Sequence, residues 1–390
     1  MRTTIPDAGK PTYDEHITAK SAGPDSAEPA PVAPRWHRWL RVQAIPDIHG
    51  VYDFFQRVTL GGKPVTVLSW PSTRFHVFWP RPLKKLLPAF NHFAMLFALL
   101  GARRDRVAVV REFDNVWFLL LAPAFWLFRR RLVLNVNQNF TRPVGAGTRA
   151  RALKVLARLG FRLLWLDGAP ALPDIRPHFP RLEVCAPLFP ALDRRSAASR
   201  MRTDEAFTVG LVGYFREDKG GVAQAVALAL ELSTIAGVRV AAGFWNQAQR
   251  SEFCAAAGAK VETCSTYEVA DYHAFLGRCH AIVVLAERDA YYYRHSGILM
   301  DCIAHGTLPI CPAYPLLESI VMRPVPVGAV YDEHESLRCV VLRLLAQYDR
   351  LRANFALHAA ARTPEQVGAA LEELLQPDRA TRTGAAIALK

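Results

Sequence analysis

Long apolar runs are missing from this 390-residue sequence, since none reaches the roughly 20 residues that a helix needs to cross a bilayer. The seven cysteines include no Cys-x-x-Cys pair and no other metal-like spacing. We therefore expect the cysteines to be reduced and to pack in the interior as small hydrophobic side chains, in a protein of a reducing compartment. Residues 1–34 are rich in Pro, Ala, Asp and Ser and lack an apolar core segment, so we expect no signal peptide and a flexible tail over 1–40.

Acidic residues are scarce in one half of the chain. Residues 36–200 hold 26 basic and 9 acidic side chains, a net charge of +17, whereas residues 201–390 have a net charge of −3. Because the whole basic excess lies in one half, that half is expected to face something anionic. The composition, with 51% hydrophobic and 21% charged residues, excludes a disordered or fibrous protein.

Two apolar segments come near to a membrane-spanning length. Leu86 to Leu100 is interrupted by Pro88, Asn91 and His92, and residues 116–128 contain Pro123 and are followed directly by three arginines, 129–131. One interpretation is a pair of buried core helices. The other, which we favour, is a helix at the lipid interface with its arginines on anionic headgroups.

Strand-like and helix-like segments alternate along the chain, which predicts βαβ units and parallel sheets. The first series spans 41–195 and the second spans 207–345. A polar linker at 196–206 separates them, and C-terminal helices and a tail fill 346–390. The predicted strands are 64–69, 106–110, 131–136, 161–166, 182–186, 207–212, 238–243, 260–263, 281–286 and 308–311. The predicted helices are 83–100, 114–128, 148–159, 221–236, 247–257, 269–276, 297–304, 335–353 and 364–375.

A glycine-rich segment follows the first strand of the second series. It reads Gly210-Leu-Val-Gly213-Tyr-Phe-Arg216-Glu-Asp-Lys219-Gly220-Gly221, which is neither a P-loop nor GxGxxG. Glycine lets the backbone approach a ligand, a following helix N-terminus favours anions, and Arg216 and Lys219 supply positive charge for a diphosphate. The alternative is a solvated charged turn.

A second candidate segment follows the apolar strand at 281–286. Ser296 and Gly297 fit a helix N-terminus that can hold phosphate oxygens. Asp301 lies one turn further along, where it can accept hydrogen bonds from ribose hydroxyls. The alternative is a capped core helix beside an exposed run of aromatic residues.

Together these segments resemble the donor-binding domain of GT-B glycosyltransferases, in particular the large retaining group with the pattern E-G-F-G-L-P-x-x-E-A-x-A-x-G-T-P. The resemblance covers roughly 207–345. It implies an α/β fold with two Rossmann-like domains facing a cleft, and a nucleotide-sugar donor. In this resemblance Asp301 takes the place of the second glutamate, which holds the ribose, and Arg216 and Lys219 match the basic pair at the donor diphosphate. The implied donor-binding residues are Gly213, Arg216, Lys219, Tyr293, Arg294, Ser296, Gly297, Ile298 and Asp301.

The sequence departs from that pattern at Tyr293, which stands where the family has its first glutamate. This leaves open whether the reaction retains or inverts the sugar configuration. Arg294, Ser296 and Gly297 are the candidate replacement, as a phosphate clamp. The resemblance implies neither a metal nor a separate cofactor, because Arg, Lys and helix N-termini can neutralise the leaving diphosphate.

The catalytic base of an inverting relative would come from a strand-end loop of the first series. Asp47 and His49 lie on the earliest such loop, Glu112 and Asp114 follow the strand at 106–110, and residues 137–139 follow the strand at 131–136. A carboxylate or imidazole within reach of an acceptor hydroxyl can remove its proton. For each of them the alternative is a turn or a helix cap.

The leading hypothesis is a cytoplasmic, metal-independent, hexosyltransferase-like enzyme, peripheral on the inner face of the plasma membrane. It would extend a glycan or lipid-linked acceptor in cell-surface polysaccharide or glycolipid synthesis. One alternative is an epimerase-like sugar-nucleotide enzyme of the same architecture. Another is a basic, non-enzymatic membrane or nucleic-acid adaptor; no nucleic-acid motif supports binding to nucleic acid, and the oligomeric state stays open.

Overall fold

The structure, a computed structural model, describes residues 59–60, 63–68, 86–102, 106–110, 113–137, 139–140, 142, 144–180, 182, 206–213, 215, 220–332 and 334–375. The strands within these ranges are β1 Thr59–Leu60, β2 Lys63–Pro64, β3 Thr66–Leu68, β4 Ala108–Val110, β5 Leu132–Asn135, β6 Arg162–Leu164, β7 Phe207–Gly213, β8 Val238–Phe244, β9 Glu262–Ser265, β10 Ala281–Val283, β11 Leu308–Pro312 and β12 Ala329–Tyr331.

The first sheet has the order β3-β4-β5-β6, and every neighbouring pair in it is parallel. All residues of β4 and β5 are buried. Central strands of a parallel sheet are covered on both faces, which is why these strands are apolar throughout instead of alternating with polar residues. The small antiparallel pair β1-β2 lies outside this sheet.

The second sheet is also parallel and has the order β12-β11-β10-β7-β8-β9. Its first strand, β7, lies between β8 and β10, so the chain winds outward in one direction from β7 and then in the other from β10. This is the doubly wound order of Rossmann-type domains. Gly210, on β7, leaves room for the side chains that pack on this face of the sheet, because a Cβ there would lie 2.5 Å from Ile282 Cδ1 and 2.7 Å from Cys279 Sγ.

Helices connect the strands. In the first half they are Leu87–Gly101, Asn115–Leu120, Ala122–Trp126, Gly147–Arg158 and Leu172–Ile175. In the second half they are Gly221–Leu232, Gln247–Ala257, Val269–Arg278, Arg288–Tyr291, Gly297–His305, Pro315–Met322, Leu337–Ala346, Tyr348–Ala353, Phe355–Ala360 and Pro364–Leu375.

The last helix returns to the first half of the chain. Pro364–Leu375 contacts β1, and Arg162 Nη2, on β6, donates a hydrogen bond to Leu374 O at 3.4 Å. Val367 and Leu371 of this helix are buried. The C-terminal helices therefore link the two sheets.

Most predicted elements agree with the structure within a few residues, but two predicted helices are divided. The helix predicted at 114–128 is two helices that are separated at Leu121, because Pro123 has no N–H to donate to a helical hydrogen bond. The helix predicted at 335–353 is interrupted at Gln347. Of the strand predicted at 182–186, Leu182 is described and lies outside any strand. The described residues do not include 183–186, the tail at 1–40 or the predicted linker apart from Ala206.

Candidate functional site

The candidate site begins where β7 and β10 end side by side, because the winding direction of the sheet changes between these strands. Gly213, the last residue of β7, has a φ of +127°, a backbone conformation that favours glycine. The next helix begins at Gly221, which has a φ of +68°, and its N-cap Gly220 has a φ of +77°. The backbone at this strand end thus adopts conformations that glycine tolerates and in which other residue types would be strained.

Gln249 is hydrogen-bonded to Phe215, which lies two residues after the end of β7. Its Oε1 accepts a hydrogen bond from Phe215 N at 3.3 Å, and its Nε2 donates to Phe215 O at 2.8 Å. Sequence reasoning missed this residue, since a glutamine in the first turn of a helix resembles any exposed polar residue. Arg216 and Lys219, predicted for the same loop, lie outside the described residues, so their contact with a diphosphate stays a prediction.

The second strand-end segment leads from β10 through the short helix Arg288–Tyr291 to the helix Gly297–His305. Ser296 is its N-cap residue, as predicted from sequence, and is buried, but its hydroxyl makes no capping hydrogen bond. The first N–H groups of a helix have no carbonyl partner within the helix. This N-terminus, with Gly297 and Ile298 in its first turn, is therefore suited to an anion.

Asp301 lies on the same helix but faces the interior. It is buried, and its Oδ2 accepts a hydrogen bond at 2.7 Å from the hydroxyl of Tyr272, which is buried as well. A ribose hydroxyl would have to share this carboxylate with Tyr272. The predicted contact between Asp301 and ribose stays a prediction.

Tyr293, at the position where the sequence departs from the family pattern, is bonded to the first half of the chain. Its hydroxyl donates to Asp174 Oδ2 at 3.2 Å. Burial, together with the Asp174 carboxylate, raises the pKa of Tyr293 to about 12. The phenol is therefore protonated at neutral pH and acts as a donor.

His295 forms a second connection between the halves. Its Nε2 lies 2.5 Å from Leu166 O, and since a carbonyl can only accept, Nε2 carries the proton. Burial lowers the pKa of His295, which keeps the imidazole neutral. Beside it, the guanidinium of Arg142 lies over the ring of Tyr292, 4.6 Å from the centroid. The β10 segment is thus fastened to the strand-end loops of the first half.

Of the four catalytic candidates, Asp47, His49 and Glu112 lie outside the described residues. The fourth, Asp114, is the N-cap of the helix Asn115–Leu120. Its Oδ1 accepts from Val116 N at 3.0 Å and from Trp117 N at 3.1 Å, and its Oδ2 lies 3.4 Å from Arg149 Nη2. The helix-cap alternative therefore describes what Asp114 does in this structure, and a catalytic role for it stays untested.

A buried ion pair that sequence reasoning missed joins the end of β6 to the C-terminal helices. Arg362 Nη1 lies 3.2 Å from Asp167 Oδ2, and both side chains are inaccessible to solvent. Asp167 has a φ of +54°, a conformation uncommon for residues other than glycine. Nearby, burial lowers the pKa of His358 to about 4. Asp167 and Arg362 are 195 positions apart in sequence, so no local sequence pattern indicates that they form a pair.

Within the described ranges, no group of three or more His, Cys, Asp and Glu side chains is arranged to hold a metal ion. No helix among those residues is both long and apolar enough to cross a membrane. Of the described cysteines, Cys279, Cys302 and Cys311 are buried, whereas Cys339 is exposed.

Solved structures of low sequence identity share this architecture. Anabaena HepE, solved in complex with UDP and glucose, is 11% identical with a TM-score of 0.59, over 85% of this chain and 96% of that one. Sucrose-phosphate synthase from Thermosynechococcus elongatus is 16% identical with a TM-score of 0.55, over 77% and 80%. The pneumococcal O-GlcNAc transferase GtfA, in complex with UDP and GlcNAc, is 8% identical with a TM-score of 0.53, over 73% and 59%.

The chain has the GT-B fold of these glycosyltransferases. This confirms the fold expected from the glycine-rich segment and the segment after β10. No protein-family model and no curated protein sequence matches the chain.

Proposed function

We propose that this protein is a glycosyltransferase that moves a sugar from a nucleotide-sugar donor to a glycan or lipid-linked acceptor. The observation that carries the proposal is the arrangement of two neighbouring strand ends on a GT-B fold. β7 ends in glycines with positive φ, and it lies beside β10. The segment after β10 leads to a helix N-terminus that is suited to an anion. Solved proteins of this fold were crystallised with UDP, with UDP-glucose, and with UDP and GlcNAc.

In the proposed site the diphosphate of the donor lies between the loop after β7 and the N-terminus of the helix Gly297–His305. Arg216 and Lys219 supply positive charge, and the backbone N–H groups at Gly297 and Ile298 supply fixed donors. Arg294 and Ser296 complete the phosphate clamp, and Asp301 binds the ribose.

The chemistry of transfer follows from these charges. The acceptor hydroxyl oxygen bonds to the anomeric carbon, the bond from that carbon to the diphosphate oxygen breaks, and the acceptor proton leaves for a base. The basic side chains and helix N–H groups stabilise the negative charge that develops on the leaving diphosphate, so no metal step is needed. For an inverting reaction the proposed base is Asp47 or His49, with Glu112 or Asp114 as the alternative pair. For a retaining reaction the donor phosphate assists instead.

The basic first half supports an acceptor held at an anionic surface. We propose that the enzyme works in the cytoplasm, peripherally on the inner face of the plasma membrane, in the synthesis of a cell-surface polysaccharide or glycolipid. Donor hydrolysis measured across UDP-, GDP- and dTDP-sugars identifies the nucleotide and the sugar. Turnover of none of them would refute the enzyme class.

The donor site is tested by calorimetric titration of UDP, or of the nucleoside diphosphate selected by that panel, into Arg216→Ala and Lys219→Ala. Loss of a charged hydrogen bond to phosphate costs about 1.5–3 kcal/mol, or roughly 10- to 150-fold in affinity. Arg338→Ala and Arg350→Ala, at exposed positions of the second half, are the matched controls. Unchanged affinity in both site variants would show that this loop does not bind the donor.

The base is tested separately with the double variant Asp47→Asn/His49→Ala. If the enzyme inverts and this loop supplies the base, turnover falls by about 10²–10⁴-fold while donor affinity is unchanged. Near-normal turnover would remove the loop from the mechanism and leave Glu112 and Asp114 as the candidates.

A further inference from the structure

The helix Leu87–Gly101 buries its polar side chains and exposes apolar ones, which is the reverse of an ordinary surface helix. It contains no charged residue. Its polar side chains, Asn91 and His92, are buried, and His92 Nε2 accepts a hydrogen bond from Asp114 N at 3.3 Å. Phe90, Phe93, Phe97 and Leu100, in contrast, are between 41% and 58% exposed. We call these four residues the phenyl face.

The four residues lie on one side of the helix because their spacing of three, four and three positions follows the helical repeat. Met95 and Leu99, on the other side, are buried in the core of the first half. A helix that faces water carries polar residues on its outer side. A continuous outward apolar surface of this kind marks an interaction site.

A second exposed apolar surface lies beside the phenyl face. Leu120, Trp126 and Leu127 are exposed on the two helices that follow β4 and at their end. Arg131 Nη2 donates to Leu99 O at 2.9 Å, which fixes the segment after these helices against the end of the helix Leu87–Gly101. This hydrogen bond therefore joins the two elements that carry the exposed apolar residues.

Cationic side chains border the apolar surface. The guanidinium of Arg129 lies 3.6 Å from the centroid of the Trp126 ring, and that of Arg131 lies 5.1 Å from the centroid of the Phe128 ring. Arg130, between them, is exposed. The sequence has no acidic residue at 54–104 or at 115–166. The partner of this surface is therefore apolar and negatively charged, as an anionic bilayer is.

A second copy of this chain fits the same surface less well. A two-fold symmetric contact through the phenyl face would pair this surface with itself, and residues 54–104 and 115–166 offer no acidic side chain to complement the arginines of the other copy. The described helices are too short to cross a membrane, and one side of the helix Leu87–Gly101 is already buried in protein. The arrangement suits a helix that lies in the plane of the interface.

We propose that the phenyl face docks this protein onto an anionic lipid bilayer, with its aromatic side chains below the headgroups and Arg129 and Arg130 on the lipid phosphates. This names the surface behind the peripheral location proposed above and rests on that proposed location. It does not depend on glycosyl transfer.

The test is flotation of the full chain with vesicles of phosphatidylcholine alone and with about one third phosphatidylglycerol, at low and high salt. The wild type is expected to bind the anionic vesicles and to lose affinity in salt. Phe93→Gln/Phe97→Gln should bind about tenfold more weakly or worse, because two exposed phenyl groups no longer enter the lipid. Leu342→Gln/Leu357→Gln, which alters two exposed leucines of the second half, should bind as the wild type does.

The charge contribution is tested with Arg129→Gln/Arg130→Gln, which should reduce binding to anionic vesicles by about 30-fold and leave binding to neutral vesicles unchanged. Arg338→Gln/Arg350→Gln is the matched control. Circular dichroism and the thermal midpoint confirm that each variant is folded.

The proposal is overturned if the wild type ignores anionic vesicles at low salt, or if the phenyl-face variant binds them as the wild type does. A wild-type dimer in solution that the same variant dissociates, without vesicle binding, would assign the surface to self-association instead. UDP titration without vesicles separates the two proposals: absent nucleotide binding with intact flotation would refute the donor site and leave the docking surface standing.

Discussion

Replacing Arg362 with methionine should destabilise this protein more than the loss of an ordinary ion pair. Arg362 Nη1 lies 3.2 Å from Asp167 Oδ2, with side-chain exposures of 0% and 1%. Its Nη2 also donates to Arg323 O at 3.4 Å. Methionine fills much of the same space without charge, so the substitution leaves a carboxylate in the interior without this cation.

The expected size of the effect follows from burial. Removing one partner of a fully buried pair costs about 3–5 kcal/mol, because the remaining charge has lost both water and its counter-ion. An exposed pair contributes about 0–1 kcal/mol. Arg278 and Glu262, which lie 2.6 Å apart with exposures of 43% and 46%, therefore provide the internal control.

The assay is urea unfolding followed by circular dichroism, with wild type, Arg362→Met and Arg278→Met in parallel. For an m-value of about 3 kcal/mol/M, Arg362→Met should lower the midpoint by about 1 M or more, and Arg278→Met by at most about 0.3 M. Asp167→Asn and the double variant complete a mutant cycle. Asparagine suits the cycle because it tolerates the positive φ at this position.

The double variant should lose less stability than the two single variants together, because it leaves no unpaired charge behind. Equal shifts for Arg362→Met and Arg278→Met would refute the reasoning. So would strict additivity in the cycle, since it would mean that the two side chains do not interact.

Three further predictions concern the interior. Burial lowers the pKa of His358 to about 4, so between pH about 6.5 and 4 the unfolded chain takes up a proton that the folded protein does not, and stability falls as the pH falls. Urea midpoints at pH 7 and pH 5 should therefore differ less in His358→Gln than in wild type, and equal differences would contradict this. Gly210→Ala should cost about 1–3 kcal/mol in thermal unfolding, because its Cβ would overlap the side chains of Ile282 and Cys279, and an unchanged midpoint would show that these side chains move aside freely. Tyr293→Phe should cost about 0.5–1.5 kcal/mol through the lost bond to Asp174. It should also reduce the loss of stability that wild type shows between pH about 10 and 12, because the unfolded chain gives up this proton near pH 10 whereas the folded protein holds it to about pH 12.

The strands were predictable from sequence because buried parallel strands are short apolar runs between polar segments. β7 was expected at 207–212 and lies at Phe207–Gly213, and the helix expected at 247–257 has those bounds. The helix Pro315–Met322 and the strand β12 were missed. β12 has only three residues, so its pattern is too short to distinguish from a loop.

Contacts between distant parts of the chain could not be predicted in the same way. His295 stands next to the predicted phosphate clamp in sequence, yet its Nε2 donates to Leu166 O, 129 positions away. Asp301 has the spacing of a ribose ligand, but only the packing of its helix against Tyr272 reveals that it is buried. Local patterns give the position of a residue on an element but not what lies against that element.

The membrane-facing surface shows a similar limit. Sequence reasoning favoured the segment at 116–128, but there Phe118 and Phe125 are buried in the core and only part of the segment is exposed. Hydropathy sums over all sides of a helix. It therefore counted Asn91 and His92 as interruptions of the segment at 86–100, although these residues face the protein.

The hydrogen bonds from Tyr293 and His295 to the first half have a consequence for how the protein responds to a donor. Both bonds lie in the segment that ends at the N-terminus of the helix Gly297–His305, the proposed anion site. Moving the two halves apart stretches these bonds and shifts the residues that lead into that helix. The spacing of the halves and the affinity of the helix for an anion are thus thermodynamically linked, and linkage is reciprocal. An anion that binds better at one spacing favours that spacing by the same free energy.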